Sequence, residues 1–275
     1  MQFIYFTKFW PDASAQKLAQ QAKRMGAEGL DLCIRQGHLV NPDNVTTAFP
    51  EAMKVWQCEG ISVPMVTTEP YFTDPKHPTV EPILSTCQKL GVTRLKLGYY
   101  QYRDGMDYWR EVDRIRWHLE GFERLGERYD VCICYHTHSG GCFGSNCGNL
   151  MHLIKGFNPR WIGAYVDTGH MWINGETWPM GIDMVRDYLR MIGMKSPAWL
   201  SKPEGDHTRW YWRLMPFKEA AVDVHLVFKT LLRVGFDGPL SFHGEFEGMS
   251  PDQRVEANRE DIAYCRRVLA EVSGK

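Results

Sequence analysis

An alternation of short apolar runs and longer amphipathic stretches, repeated eight times, constrains this chain more than any other feature of its sequence. Eight units in 275 residues leave roughly 34 residues for each, enough for one strand, one helix and two short connections. The apolar runs predict strands at 3–6, 29–34, 61–66, 93–97, 131–135, 162–166 and 239–242, with a weaker seventh strand at 197–201. Helices are expected at 14–25, 45–58, 80–90, 108–128, 147–155, 182–192, 218–234 and 252–272. Ser14 is placed to cap the first helix. Gly26, Gly60, Gly91 and Gly235 are placed to close others as C-terminal caps. Short apolar strands followed by amphipathic helices argue for a parallel sheet with both faces covered. Eight such units argue for an α/β fold, a closed (β/α)8 barrel forming a single domain over residues 1–275. No glycine-rich dinucleotide fingerprint or phosphate-binding loop follows any strand, which weighs against an open nucleotide-binding sheet. The stretch 202–217 carries Trp210, Tyr211 and Trp212 and no clear element. It reads as a lid, an interface or packing against the barrel rim.

Composition excludes several classes of partner. The formal net charge is −1 and no Lys/Arg cluster stands out, so no nucleic acid is expected as a partner. No apolar run is long enough to span a bilayer, and no membrane partner is expected. The N-terminus lacks the charged and apolar regions of a signal peptide, so the chain is expected to stay in the cytoplasm. Six of the eight cysteines fall in expected strands and helices and read as core thiols. Cys142 and Cys147 flank a glycine-rich loop, but a single Cys-x4-Cys pair falls short of a structural zinc signature.

The active site of such a barrel gathers at the C-terminal ends of its strands. After the second strand stand Arg35 and His38. Glu69 follows the third and Lys96 ends the fourth. His136 and His138 follow the fifth, Asp167 and His170 the sixth, Lys202 and Glu204 the seventh, and His243, Glu245 and Glu247 the eighth. Seven consecutive strands ending in ionisable or hydrogen-bonding groups are hard to explain by packing, and predict a polar small-molecule site. The sharpest case is Tyr165-Val166-Asp167-Thr168-Gly169-His170, where a buried strand hands a carboxylate and an imidazole to a turn. A carboxylate there is costly unless paired or bound to a metal; the simpler reading is that Asp167 caps the next helix.

His136 and His138 lie two apart, as do His243 and Glu245, so each pair would share one side of an extended strand. Imidazoles and carboxylates converging with Asp167 suit one divalent transition-metal ion. Such an ion chelates adjacent oxygens of a sugar-like substrate and polarises its carbonyl. Glu245, Lys202 and His138 are the candidates to move the proton. Arg35 and His38 are candidates to grip a substrate hydroxyl or carboxylate, against an ion pair from Arg35 to Glu69 or Asp31.

These motifs resemble the xylose-isomerase-like TIM-barrel superfamily of sugar isomerases, epimerases and inosose dehydratases. The resemblance rests on Val166-Asp167-Thr168-Gly169-His170, Tyr135-His136-Thr137-His138, Gly29-Leu30-Asp31-Leu32 and Gly235-Phe236-Asp237-Gly238-Pro239. It covers nearly the whole chain and is a poor guide to substrate. It implies one divalent ion (Mn, Co or Zn) held by Glu, Asp, His and Glu on strands five to eight, with two glutamates often shuttling the proton. Asp167 matches the strand-six ligand, His170 a substrate-contacting histidine, and Lys202 the lysine after the strand-seven ligand. His136 stands at the strand-five Glu position and Leu200 at the strand-seven His position. His243 stands at the strand-eight position, unless a shift makes Glu245 the ligand. The expected ligand set is His136, Asp167 and His243. Glu245, Lys202 and His138 are the expected catalytic groups, and Arg35, His38, Glu69, Lys96 and His170 the expected substrate-binding groups.

The expected activity is isomerisation or epimerisation of a sugar, keto-sugar or polyol, begun by metal-assisted proton abstraction next to a carbonyl. Dehydration or keto-glycoside elimination would share the enediolate intermediate. A metal-dependent phosphodiesterase, as in the endonuclease IV relatives, would need a basic groove that the composition does not supply. A non-catalytic sugar-binding barrel is the third reading, because of the departures at Leu200 and at the glutamate positions. The expected partner is a small carbohydrate, and a homodimer is compatible with the number of tryptophans.

Overall fold

The computed structural model describes residues 1–274. The barrel strands are β1 (Gln2–Phe6), β2 (Gly29–Cys33), β3 (Ser62–Thr67), β4 (Arg94–Lys96), β5 (Cys132–His136), β6 (Ile162–Asp167) and β7 (Leu189–Met194). After a hairpin of β8 (Pro197–Glu204) and β9 (His207–Leu214) comes the last barrel strand, β10 (Pro239–Phe242). The ring runs β1-β10-β7-β6-β5-β4-β3-β2 and closes on itself, every neighbouring pair being parallel. This is the (β/α)8 barrel that the repeat implies.

Helices α1 (Ala15–Met25), α2 (Val45–Cys58), α3 (Val80–Leu90), α4 (Tyr108–Tyr129) and α5 (Cys147–Ile154) cover the outside, followed by α6 (Thr168–Ile173), α7 (Trp178–Val185), α8 (Val224–Arg233) and α9 (Pro251–Ser273). Their starts are written in the sequence. Ser14 Oγ accepts from Lys17 N, Asp107 Oδ1 from Trp109 N and Arg110 N, and Asp223 Oδ1 from Leu226 N. Ser250 and Gln253 form a reciprocal capping box at α9. The barrel interior is plugged by Ile4, Met65, Cys132, Cys134, Tyr165 and Met191, while a larger apolar layer joins sheet to helices. The polar C-terminal strand ends lie above this plug, while Arg94 and Arg190 lie by Cys132 and Cys134 at its other side.

One expectation fails. The seventh barrel strand is Leu189–Met194, and the stretch 197–201 belongs instead to β8, which pairs only with β9 in a separate antiparallel hairpin. The run Leu189-Arg190-Met191-Ile192-Gly193-Met194 continues an apolar pattern begun in α7, so it reads as the end of a helix over 182–192. Periodicity does not separate a buried strand from a buried helical turn over so few residues. Lys202 and Leu200 thus leave the barrel altogether. Trp199, Trp210, Tyr211 and Trp212 are exposed on the hairpin. Among the described residues no helix is long and apolar enough to cross a membrane.

Candidate active site at the C-terminal mouth of the barrel

The floor of the site is a buried hydrogen-bonded acid. Asp31 on β2 accepts from Thr67 Oγ1 at 2.6 Å and Ser241 Oγ at 2.8 Å, with Tyr165 Oη at 3.5 Å. Burial pushes its carboxyl above the usual range, against the pull of His243 and these hydroxyls. Tyr165 Oη lies 2.8 Å from His243 Nε2. When Nε2 carries the proton and donates to Tyr165, the Nδ1 lone pair of His243 faces the cleft.

Above this floor three strand ends bring His136, Asp167 and His243 together. Asp167 divides its work. Oδ1 accepts from Gly169 N at 2.9 Å and His170 N at 3.0 Å, capping α6, and this fixes Oδ2 toward the barrel axis. Oδ2 lies 3.4 Å from His136 Nε2 and 4.0 Å from His243 Nδ1. All three side chains are buried, and these three atoms have no hydrogen-bond partner. Buried polar atoms are rarely left so. Burial, with Lys96 and Lys195 nearby, holds the His136 imidazole well below its ordinary pKa, so it is a neutral donor of lone pairs. The donor chemistry, two imidazoles and one carboxylate, fits a zinc, manganese or cobalt ion. As the side chains stand, no three such groups among the described residues form a ready coordination shell.

Lys195, the first residue after β7, enters the same space. Its Nζ lies 3.4 Å from Glu245 Oε1, 3.9 Å from Asp167 Oδ2 and 3.3 Å from His170 Nε2. Glu245 Oε2 takes a second cation, Lys8 Nζ, at 3.3 Å, and its Oε1 is 3.6 Å from His243 Nδ1. Burial alone would raise the Glu245 pKa, but Lys195, His243 and Lys8 hold it well below the usual carboxylate range. Burial alone would lower Lys195, but Glu245 and Asp167 carry it above its ordinary value. Both groups are charged at neutral pH. His170 is fixed by Ser139, whose Oγ is 2.9 Å from Nδ1. The His138 and His170 rings are 4.1 Å apart, and burial with Lys195 brings His138 down to about 4.

The cleft over these groups is small, about 120 Å³, and is lined by Lys8, Arg35, Lys96, His138, Lys195 and Glu245 among others. A neighbouring hollow of about 140 Å³ shares His138, Lys195 and Glu245 and is walled by Trp212 of the hairpin. Arg35 does not pair with Glu69 or Asp31; its Nε donates to Thr68 O at 2.9 Å. Glu69 accepts from Gln36 N at 2.6 Å and faces a different hollow. His38 sits beside Cys33 Sγ at 3.7 Å, apart from the residues lining the cleft. Lys202 is exposed, 6.0 Å from the Tyr211 ring, and takes no part in the cleft. A larger apolar hollow of about 550 Å³ lies against α6, α7 and α8, and its acids Glu176 and Asp223 are spent capping α5 and α8. Size alone therefore points away from the chemistry.

Of the expected groups, the barrel brings together His136, His138, Asp167, His170, His243, Glu245, Arg35 and Lys96. Sequence reasoning missed Lys195 and Lys8. Lys195 would follow from placing the strand at Leu189–Met194, a run whose helical reading is broken by Gly193 and followed by Pro197.

Comparison with known proteins agrees with this architecture. A family model described as xylose isomerase-like TIM barrel matches residues 19–268. Among solved structures, 3-keto-D-glucoside 4-epimerase YcjR from E. coli superposes with a TM-score of 0.74 at 12% identity, covering 97% of this chain and 99% of that one. D-psicose 3-epimerase from Clostridium cellulolyticum H10 gives 0.74 at 13% identity, with 98% and 99% covered. The probable 3-DHS dehydratase AsbF from Bacillus anthracis gives 0.70 at 14% identity, with 96% and 99% covered. No curated protein matches the sequence significantly.

Proposed function

Because the chain belongs to the xylose isomerase-like TIM barrel family, we propose that it is a sugar or keto-sugar isomerase or epimerase that removes a proton next to a carbonyl. The observation that carries this reading is the set of three buried, partnerless atoms, His136 Nε2, Asp167 Oδ2 and His243 Nδ1, beside the Lys195–Glu245 ion pair. The likeness to solved structures supports the fold; that they include epimerases of keto-sugars and a dehydratase suits a shared first step.

His136, Asp167 and His243 would hold a divalent ion. When bound, such an ion polarises a carbonyl and favours the charge of an enediolate. The chain's own groups do the rest. Glu245 is ionised and is the proton acceptor. It is a weak base while two lysines contact it, and its basicity rises as Lys195 turns its N–H groups to a substrate oxygen. Lys195 offers positive charge where negative charge develops. The bonds from Ser139 hold the His170 ring in place beside Lys195, and Trp212 closes one side of the cleft.

A dehydratase or lyase is the second reading, favoured by one observation. Among the described residues Glu245 is the only carboxylate lining the cleft, whereas epimerisation needs proton carriers on two faces. Lys195, charged at neutral pH, is a nitrogen acid suited to protonating a leaving group.

The test is loss of the C–H proton to solvent. The protein, loaded with Zn, Mn or Co, is incubated with a panel of keto-sugars in D2O and followed by NMR. Deuterium entering next to the carbonyl, absent in Glu245→Gln and Asp167→Ala, is the expected result. Tight binding of the same sugars without exchange would make the chain a binding barrel.

A further inference from the structure

We propose that the substrate of this cleft is an anionic sugar, with its negative group held between Arg35 and Lys96. This rests on the reading of the cleft as a sugar site and adds the class of sugar. Four basic side chains, Lys8, Arg35, Lys96 and Lys195, line the cleft, and they are not equivalent. Lys8 and Lys195 are engaged by Glu245, at 3.3 and 3.4 Å. Arg35 and Lys96 have no carboxylate partner among the described residues.

Lys96 is the more telling of the two. It is 2% exposed, and its Nζ has no hydrogen-bond partner. Its nearest support is the face of Tyr99, 3.8 Å from Nζ to ring centre. Asp31 attracts it only through space, because that carboxylate is spent on Thr67 and Ser241. A buried ammonium without a partner is costly, and burial with Arg35 nearby draws the Lys96 pKa well below its ordinary value; an anion brought in from outside removes that cost and favours the charged form. Arg35 complements it. Its Nε is fixed on Thr68 O, which orients the guanidinium plane and leaves both terminal nitrogens for a ligand. A planar fork of this kind suits a carboxylate or phosphate in two-point contact. Both residues line the same cleft as Glu245 and Lys195, so an anion docked on them leaves the rest of a sugar within the reacting groups.

The test is calorimetric titration of the metal-loaded protein with hexuronates, hexose phosphates and the matching neutral hexoses. At least one anionic sugar is expected to bind about ten-fold or more tightly than its neutral counterpart. Preference among uronates points to a carboxylate, and preference among phosphates to a phosphoryl group; either supports the proposal. Lys96→Met is expected to erase the preference. Should that variant not fold, Arg35→Lys, which keeps the charge but not the fork, is expected to reduce it. Equal binding, weaker anion binding or no binding of either class overturns the proposal. Deuterium exchange is followed on the same panel, so the two readings fail separately. Exchange confined to neutral sugars sinks the anion while leaving the reaction, and anion binding without exchange does the reverse.

Discussion

Gly193 and Asp167 stand side by side across the β6–β7 ladder, and a β-carbon at position 193 would fall 2.6 Å from Asp167 Oδ2. The inward face of β7 is therefore bare next to the carboxylate that organises the site. The room left by the missing side chain is on the side from which Lys195 reaches Asp167, Glu245 and His170. Gly193→Ala should push Oδ2 out of line with His136 and His243. The expected outcome is a stability loss of about 1–3 kcal/mol from overpacking and a metal affinity lower by roughly ten-fold or more. Urea unfolding and metal titration check the two separately. An alanine variant that retains metal like the wild type would show that Oδ2 is not a ligand.

Lys195 is the counter-ion of two carboxylates and would compete with a dication for the same oxygens. In metal-free protein Lys195→Met leaves the buried Asp167 without its ammonium and Glu245 with Lys8 alone, a loss on the order of 3–5 kcal/mol. Added Zn or Mn should return much of it. The melting temperature of the variant should thus rise more on metal addition than that of the wild type. An equal or smaller rise would mean that the ammonium and the ion do not share this place.

Asp261, far from the cleft, accepts from Phe217 N at 2.8 Å and anchors the chain where it returns from the hairpin. Burial raises its carboxyl to about 7. With the folded pKa above the unfolded one, the native state holds the extra proton between about pH 4 and 7. This contribution is complete below pH 4 and drains away as pH rises through 7. Its full size is about 4 kcal/mol at most. Asp261→Asn keeps the acceptor and removes the titration. The variant should gain on the wild type as pH rises from 4.5 to 8, read as the difference in urea midpoints. A difference that stays flat with pH would remove Asp261 from this role.

Trp212 stands on β9 with one face to solvent and one to the hollow containing His138, His170 and Glu245. The hairpin pairs only with itself. Trp212→Ala should leave stability within about 0.5 kcal/mol of the wild type. Sugar binding should weaken by roughly three- to ten-fold through loss of the apolar wall. A large stability loss with unchanged sugar binding would make the hairpin part of the scaffold instead.

Much of this architecture was legible in the sequence, because eight amphipathic repeats leave a chain few ways to bury its apolar faces. Seven of the eight barrel strands fall where short apolar runs place them, and Ser14 caps α1 as its position suggests. His136, Asp167 and His243 could be picked out because polar residues ending buried strands are expensive, and a barrel brings strand ends to one mouth. Strand β7 was illegible because Leu189–Met194 extends the apolar pattern of α7, and Pro197–Ser201 offered a second strand-like run. With the strand misplaced, Lys202 stood where Lys195 belongs.

The local pattern thus determined the class of fold and the chemistry available at the barrel mouth. Tertiary structure alone decided which atoms meet: that Asp167 spends one oxygen on α6 and keeps the other free, that Lys195 enters between two carboxylates, and that Lys96 is buried without a partner. The reason is physical. Periodicity reports which face of an element is buried, and that is fixed by neighbours in sequence. A hydrogen bond or ion pair is fixed by distances of 3–4 Å between residues far apart in the chain, which exist only once the barrel has closed.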